Sequence, residues 1–127
     1  MKTGSMHSAL NTALLAAETA DSKKGIDIQV LDLRELTTIA DYFVICSGSS
    51  TTQVGAVADG IGKRLASEGL HPSHVEGEAE STWMLLDYGD VVIHVFEEST
   101  RAYYGLDRLC GDAPRVRTAC AGSGVSS

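Results

Sequence analysis

The sequence predicts an α/β or α+β fold, a mixed β-sheet with helices packed on it, and three observations carry that reading. Segments with apolar residues at helical spacing alternate along the chain with short β-prone runs. Two of those runs, "IDIQVLDL" and "YFVIC", are joined by a link too short for a crossover helix, so they should be antiparallel neighbours. Two more flank Gly89-Asp90 in "WMLLDYGDVVIHVF", and glycine at the first central position is what a type II′ hairpin turn requires.

Each element has its own justification. Residues 6–20 place Met6, Leu10, Ala13, Leu14 and Ala17 at helical spacing among other alanines, and this helix should end near Asp21. After the polar turn "DSKKG", Ile26, Ile28 and Val30 alternate as in a strand, expected to be central. "YFVIC" is a continuous β-prone run in which Cys46 reads as a small core residue. In "SGSSTTQ" the hydroxyls can cap a helix carrying Val54, Val57, Ala58, Ile61 and Leu65, which Gly69 ends. A brief edge strand is expected around His74 to Glu76, before the hairpin. A last helix should follow Phe96 with Ser99 as its cap and Ala102, Tyr103, Leu106, Leu109 and Cys110 along one side. Residues 1–112 would then form one domain, and the small, polar stretch 113–127 a disordered tail.

The hairpin turn sets a register in which Trp83 pairs with Phe96, Leu85 with His94 and Asp87 with Val92. Because side chains alternate, Met84, Leu86, Tyr88, Val91, Ile93 and Val95 share one face, a core face. The other face carries Trp83, Leu85, Asp87, Val92, His94 and Phe96. Large apolar groups mixed with a carboxylate and an imidazole suit a surface partly covered by another element or by a partner.

Composition narrows the partner. In 127 residues the formal net charge is −7, which argues against recognition of a nucleic-acid backbone and favours a basic protein surface. The three cysteines show no CxxC spacing, and His71 and His74 form only a loose pair, so neither a disulfide framework nor a zinc site is expected. The N-terminus has no signal or import pattern and no run reaches membrane-spanning length, so a cytoplasmic location is expected.

Four features invite chemistry. "SGSS" sits where a phosphate cradle would, but it lacks the lysine of a Walker loop and the spacing of a dinucleotide fingerprint; capping accounts for it. Asp87 and Asp90 flank the turn and invite a metal, yet no phosphate-binding neighbour accompanies them; acidic groups beside aromatics fit a protein interface better, and Asp90 reads as a turn residue. His94 has no local nucleophile to serve and reads as packed or interfacial. Trp83, beside Leu85 and Phe96, is the natural anchor of a binding face. No catalytic residue, cofactor or metal is expected.

The stretches "ADYFVICSGSSTTQVGAVADGI" at 40–61, "EG" at 76–77, "WMLLDYGDVVIHVF" at 83–96 and "RAYYGLDRL" at 101–109 resemble the ribosomal silencing factor, or Iojap, family. The resemblance spans about Leu10 to Asp112. It implies a fold similar to nucleotidyltransferases, without a transferase role. It also implies binding to the fourteenth large-subunit ribosomal protein where the small subunit docks. Subunit joining is then blocked sterically and translation falls when nutrients are scarce, with little direct RNA contact. Organellar relatives act in large-subunit assembly. The family's partner surface corresponds to Trp83, Leu85, Asp87, Tyr88, Gly89 and Asp90, although Tyr88 falls on the opposite face in the register above. Two departures are Cys110, where tryptophan is common, and Ala40, where serine or threonine is common.

Two other readings compete. A nucleotidyltransferase-like enzyme would hold a nucleotide at Gly48 and Ser49 and magnesium on carboxylates, but the next acid after Ser49 is Asp59, inside the expected helix. A homodimer using the same apolar face would make self-association and ribosome binding compete.

Overall fold

The computed structural model describes residues 8–77, 81–100 and 114–116. Helix α1, Ala9–Ser22, starts at Ser8, whose hydroxyl accepts the Asn11 N–H at 3.1 Å, as an N-cap should. Its buried side is Thr12, Ala13, Ala16, Ala17, Thr19 and Ala20, whereas Leu10 is exposed and Leu14 only half-buried. The expected stripe is therefore rotated toward the alanines. Their small side chains let the helix lie close to its neighbours, and the end of α1 packs against helix α2, Thr51–Ser67: the Gln53 amide donates to the Lys23 carbonyl.

Strand β1, Ile26–Asp32, carries a bulge between Ile26 and Gln29, with Asp27 at φ 50°. It pairs antiparallel with β2, Tyr42–Gly48, as the short link demanded. Helix α2 buries Val54, Val57, Ala58, Ile61 and Leu65, the expected stripe, and Gly69 takes φ 82° just past its end. Strand β3, His74–Glu76, is an exposed edge. It is followed by β4, Trp83–Asp87, and β5, Val91–Glu97.

The sheet order is β3-β4-β5-β2-β1-β6, with β2 and β5 parallel and the other neighbours antiparallel. Strand β6, Arg115–Val116, pairs with Val30 and Leu31 and lies within the stretch expected to be a tail. The central pair is β5 and β2. Strand β1, expected in the centre, is interior only through this two-residue edge.

Both α1 and α2 pack on one side of the sheet, where their buried residues join Ile28, Val30, Val44, Cys46, Leu86, Val91, Ile93 and Val95 in one cluster. The second face has its own cluster, Leu31, Leu33, Ile45 and Phe96, with Phe43 and Trp83 packed against it. It contains no residue of α1 or α2. A further helical turn begins at residue 98, and its cap is Glu97 rather than Ser99: the Glu97 carboxylate accepts from the Ser99 hydroxyl at 2.5 Å and the Thr100 N–H at 3.3 Å. Those bonds, the Ser99 hydroxyl first, hold the Glu97 carboxyl below the usual carboxylate range. The residues expected along that helix from Ala102 to Cys110, like Met6, lie outside the described residues.

Candidate functional site

The hairpin builds the candidate face. Its observed register is Trp83 to Phe96, Met84 to Val95, Leu85 to His94, Leu86 to Ile93 and Asp87 to Val92, as turn length and alternation required. Gly89 adopts φ 89°, a conformation that side-chain-bearing residues rarely take. Asp87 keeps its expected place on the mixed face, and the side-chain role in the turn expected of Asp90 falls to it as well. It is Asp87 that serves the turn, its carboxylate accepting the Gly89 N–H at 2.8 Å. Asp90 leaves its side chain exposed, while its carbonyl accepts from Asp41 N at 2.8 Å and Tyr42 N at 3.1 Å, pinning the turn to the start of β2.

Trp83 is half-buried. Its ring stacks on Phe96 with centroids 5.0 Å apart, and its indole N–H donates to Nδ1 of His94 at 3.2 Å. Phe43 meets His94 edge-on at 4.7 Å. Leu85 and Asp87, half-buried, continue the row toward the turn. Tyr88 stands apart, packed against the helix-covered cluster, with its hydroxyl buried and unbonded among the described residues and its acidity lowered by burial. The structure thus brings Trp83, Leu85 and Asp87 together on one face, puts Gly89 and Asp90 at its end, and turns Tyr88 to the other side.

Sequence reasoning missed Phe43 on this face. In "YFVIC" every residue is apolar, so alternation is invisible; only the parallel pairing of Phe43 with Val92 and of Ile45 with His94 reveals which side Phe43 takes.

His94 is neutral in this setting. Burial pushes its pKa down to about 4, and acceptance of the Trp83 proton at Nδ1 leaves the ring proton on Nε2, which has no partner among the described residues. In the unfolded chain the imidazole titrates near 6.5, so between about pH 6.5 and 4 the unfolded state binds the extra proton. Stability from the neutral ring is complete above about pH 6.5 and is lost as pH falls toward 4, by about 3 kcal/mol in all. Trp83 is the single tryptophan, so its fluorescence should change with a midpoint near pH 4 in the folded protein, and His94→Phe should abolish that step.

The turn considered for a nucleotide is accounted for by packing. Ser50 caps α2, accepting the Gln53 N–H at 3.2 Å, and a Cβ on Gly48 would lie 2.8 Å from Val54 N. Gly48→Ala should therefore force β2 and the start of α2 apart at a cost of about 1–3 kcal/mol, read as a lower melting temperature. A cavity of about 630 Å³ between α2 and β3–β4, lined by Gly55, Ala58, Gly62, Val75, Met84 and Leu86 among others, lies on the helix side of the sheet; neither Gly48 nor Ser49 lines it. Among the described residues no group of three or more His, Cys, Asp or Glu could hold a metal ion, and no helix is long and apolar enough to cross a membrane.

Comparison with known proteins gives the family and the fold. The family described as "Ribosomal silencing factor during starvation" matches residues 6–124. The ribosomal silencing factor of Bacillus subtilis is 44% identical over 100 residues, 79% of this chain and 85% of that protein. That of Halalkalibacterium halodurans is 42% identical over 102 residues, 80% of this chain and 87% of that protein. A crystal structure of a Chromobacterium violaceum protein superposes with a TM-score of 0.79 at 31% identity, covering 94% of this chain and 99% of the other. Matched along most of its length in sequence and in fold, the chain belongs to the ribosomal silencing factor family.

Proposed function

We propose that this protein binds the large ribosomal subunit through the subunit's fourteenth ribosomal protein and, by occupying that surface, keeps the small subunit from joining. The observation that carries the reading is the half-buried Trp83, stacked on Phe96 and oriented by His94, on a sheet face that α1 and α2 leave to other contacts. A rigid aromatic anchor beside half-buried Leu85, leading to an acidic turn at Asp87, Gly89 and Asp90, fits a basic and partly apolar protein surface. The net charge of −7 supports a protein contact rather than an RNA backbone. Silencing of this kind needs affinity and bulk, with no chemical step, cofactor or metal, and it takes place in the compartment that holds the ribosomes, the cytoplasm.

The test is sedimentation of the purified protein with isolated large subunits, isolated small subunits and joined ribosomes. The protein should co-migrate with large subunits alone, and large subunits loaded with it should form fewer joined ribosomes when small subunits are added. Binding to small subunits, or to neither, would remove the proposal.

A further inference from the structure

The link between β1 and β2 exposes two large aliphatic side chains, Leu36 at 53% and Ile39 at 80%. Single apolar residues on a surface are ordinary. These two sit on a loop whose shape is held by its own bonds: Leu36 N and Thr37 N both donate to the Leu33 carbonyl, Leu33 N to the Asp41 carbonyl at 2.8 Å, and Ile39 N to the Thr37 hydroxyl at 3.1 Å. Leu33 is buried in the cluster of the second face, so the base of the loop is anchored beneath the Trp83 side of the sheet. A loop already ordered presents Leu36 and Ile39 with little entropy left to lose on contact.

Position and charge indicate what they meet. The Asp90 carbonyl accepts from Asp41 and Tyr42, which joins the end of this loop to the hairpin turn. Glu35, Asp41, Asp87 and Asp90 lie in these two connected segments. The cation of the loop, Arg34, is bound through two nitrogens to Asp32, at 2.9 and 2.7 Å, and so leaves the acidic character in place. Exposed aliphatic side chains on a segment tied to an acidic turn match an apolar depression bordered by lysine or arginine.

We propose that Leu36 and Ile39 extend the docking surface past the hairpin turn and insert into such a depression on the same large-subunit protein that Trp83 contacts. The inference rests on the function proposed above and adds a second contact, on another segment of the chain, to the one the hairpin supplies. It makes the footprint a strip along the sheet, from Trp83 through Leu85 and Asp87 to the β1–β2 loop.

The experiment is co-sedimentation of the full chain with isolated large subunits for wild type, Leu36→Ser, Ile39→Ser and Trp83→Ala, with melting temperatures and the sedimentation of each free protein recorded. Each loop variant should keep the wild-type melting temperature and lose about tenfold in affinity, as a peripheral anchor does. If Trp83→Ala loses binding while both loop variants bind like wild type, the inference falls and the function stands. If wild type itself binds no large subunits, both fall. If the loop variants instead abolish self-association of the free protein and leave subunit binding unchanged, the surface belongs to a second copy and the inference is overturned.

Discussion

Trp83→Ala should lower affinity for isolated large subunits by about 30- to 1,000-fold, the range for losing a central aromatic anchor. The ring is half-buried and stacked on Phe96 at 5.0 Å, so the stacked side keeps it in one orientation. The His94 acceptor fixes the indole further. Trp83→Phe should retain most of the apolar contact and lose the N–H bond, giving a smaller drop. Both variants can be compared by sedimentation binding at equal folded fraction, judged by circular dichroism. Wild-type affinity in a folded Trp83→Ala protein would remove this residue from the site.

Phe96→Ala should give the largest loss of stability, about 3–5 kcal/mol, because the side chain is fully buried and its removal leaves a cavity. Phe96 belongs to the second-face cluster with Leu31, Leu33 and Ile45 and supports the Trp83 ring from beneath. For a domain of this size the melting temperature should fall by roughly 10–20 °C, read by thermal unfolding. Such a loss is a large part of the total stability of a small domain, about 5–15 kcal/mol. A fall of only a degree or two would mean that the cluster closes over the gap. Phe96→Leu, which keeps most of the volume, should cost much less and separate the packing role from any effect on binding.

Much of the fold is visible in residue order. The hairpin register follows from a two-residue turn with glycine first, and every pair from Trp83–Phe96 to Asp87–Val92 is observed. The stripe on α2 and its Ser50 cap likewise follow from local chemistry. Helix α1 is less legible. Its leucines stand out in the sequence, yet close approach to α2 and the sheet selects the alanine side. The last cap differs from the expected one because serine is the commoner capping residue, whereas here the Glu97 carboxylate at the strand end accepts the Thr100 N–H.

The candidate site divides in the same way. Period-two alternation placed Trp83, Leu85 and Asp87 on one face and Tyr88 on the other, because side-chain direction in a hairpin is a local property. The roles of Asp87 and Asp90 needed the fold: either acid can serve a turn, and the choice depends on the Asp90 backbone bonding across to β2. The parallel β2–β5 pair joins residues far apart in sequence, so no local pattern announces Phe43 against His94, or β6 against β1. Family membership, the two faces of the hairpin and the glycine of its turn are written in neighbouring residues. Which sheet face the helices cover, and how the β1–β2 loop meets the hairpin turn, depends on long-range pairing and packing, whose energies arise only once the whole chain has closed.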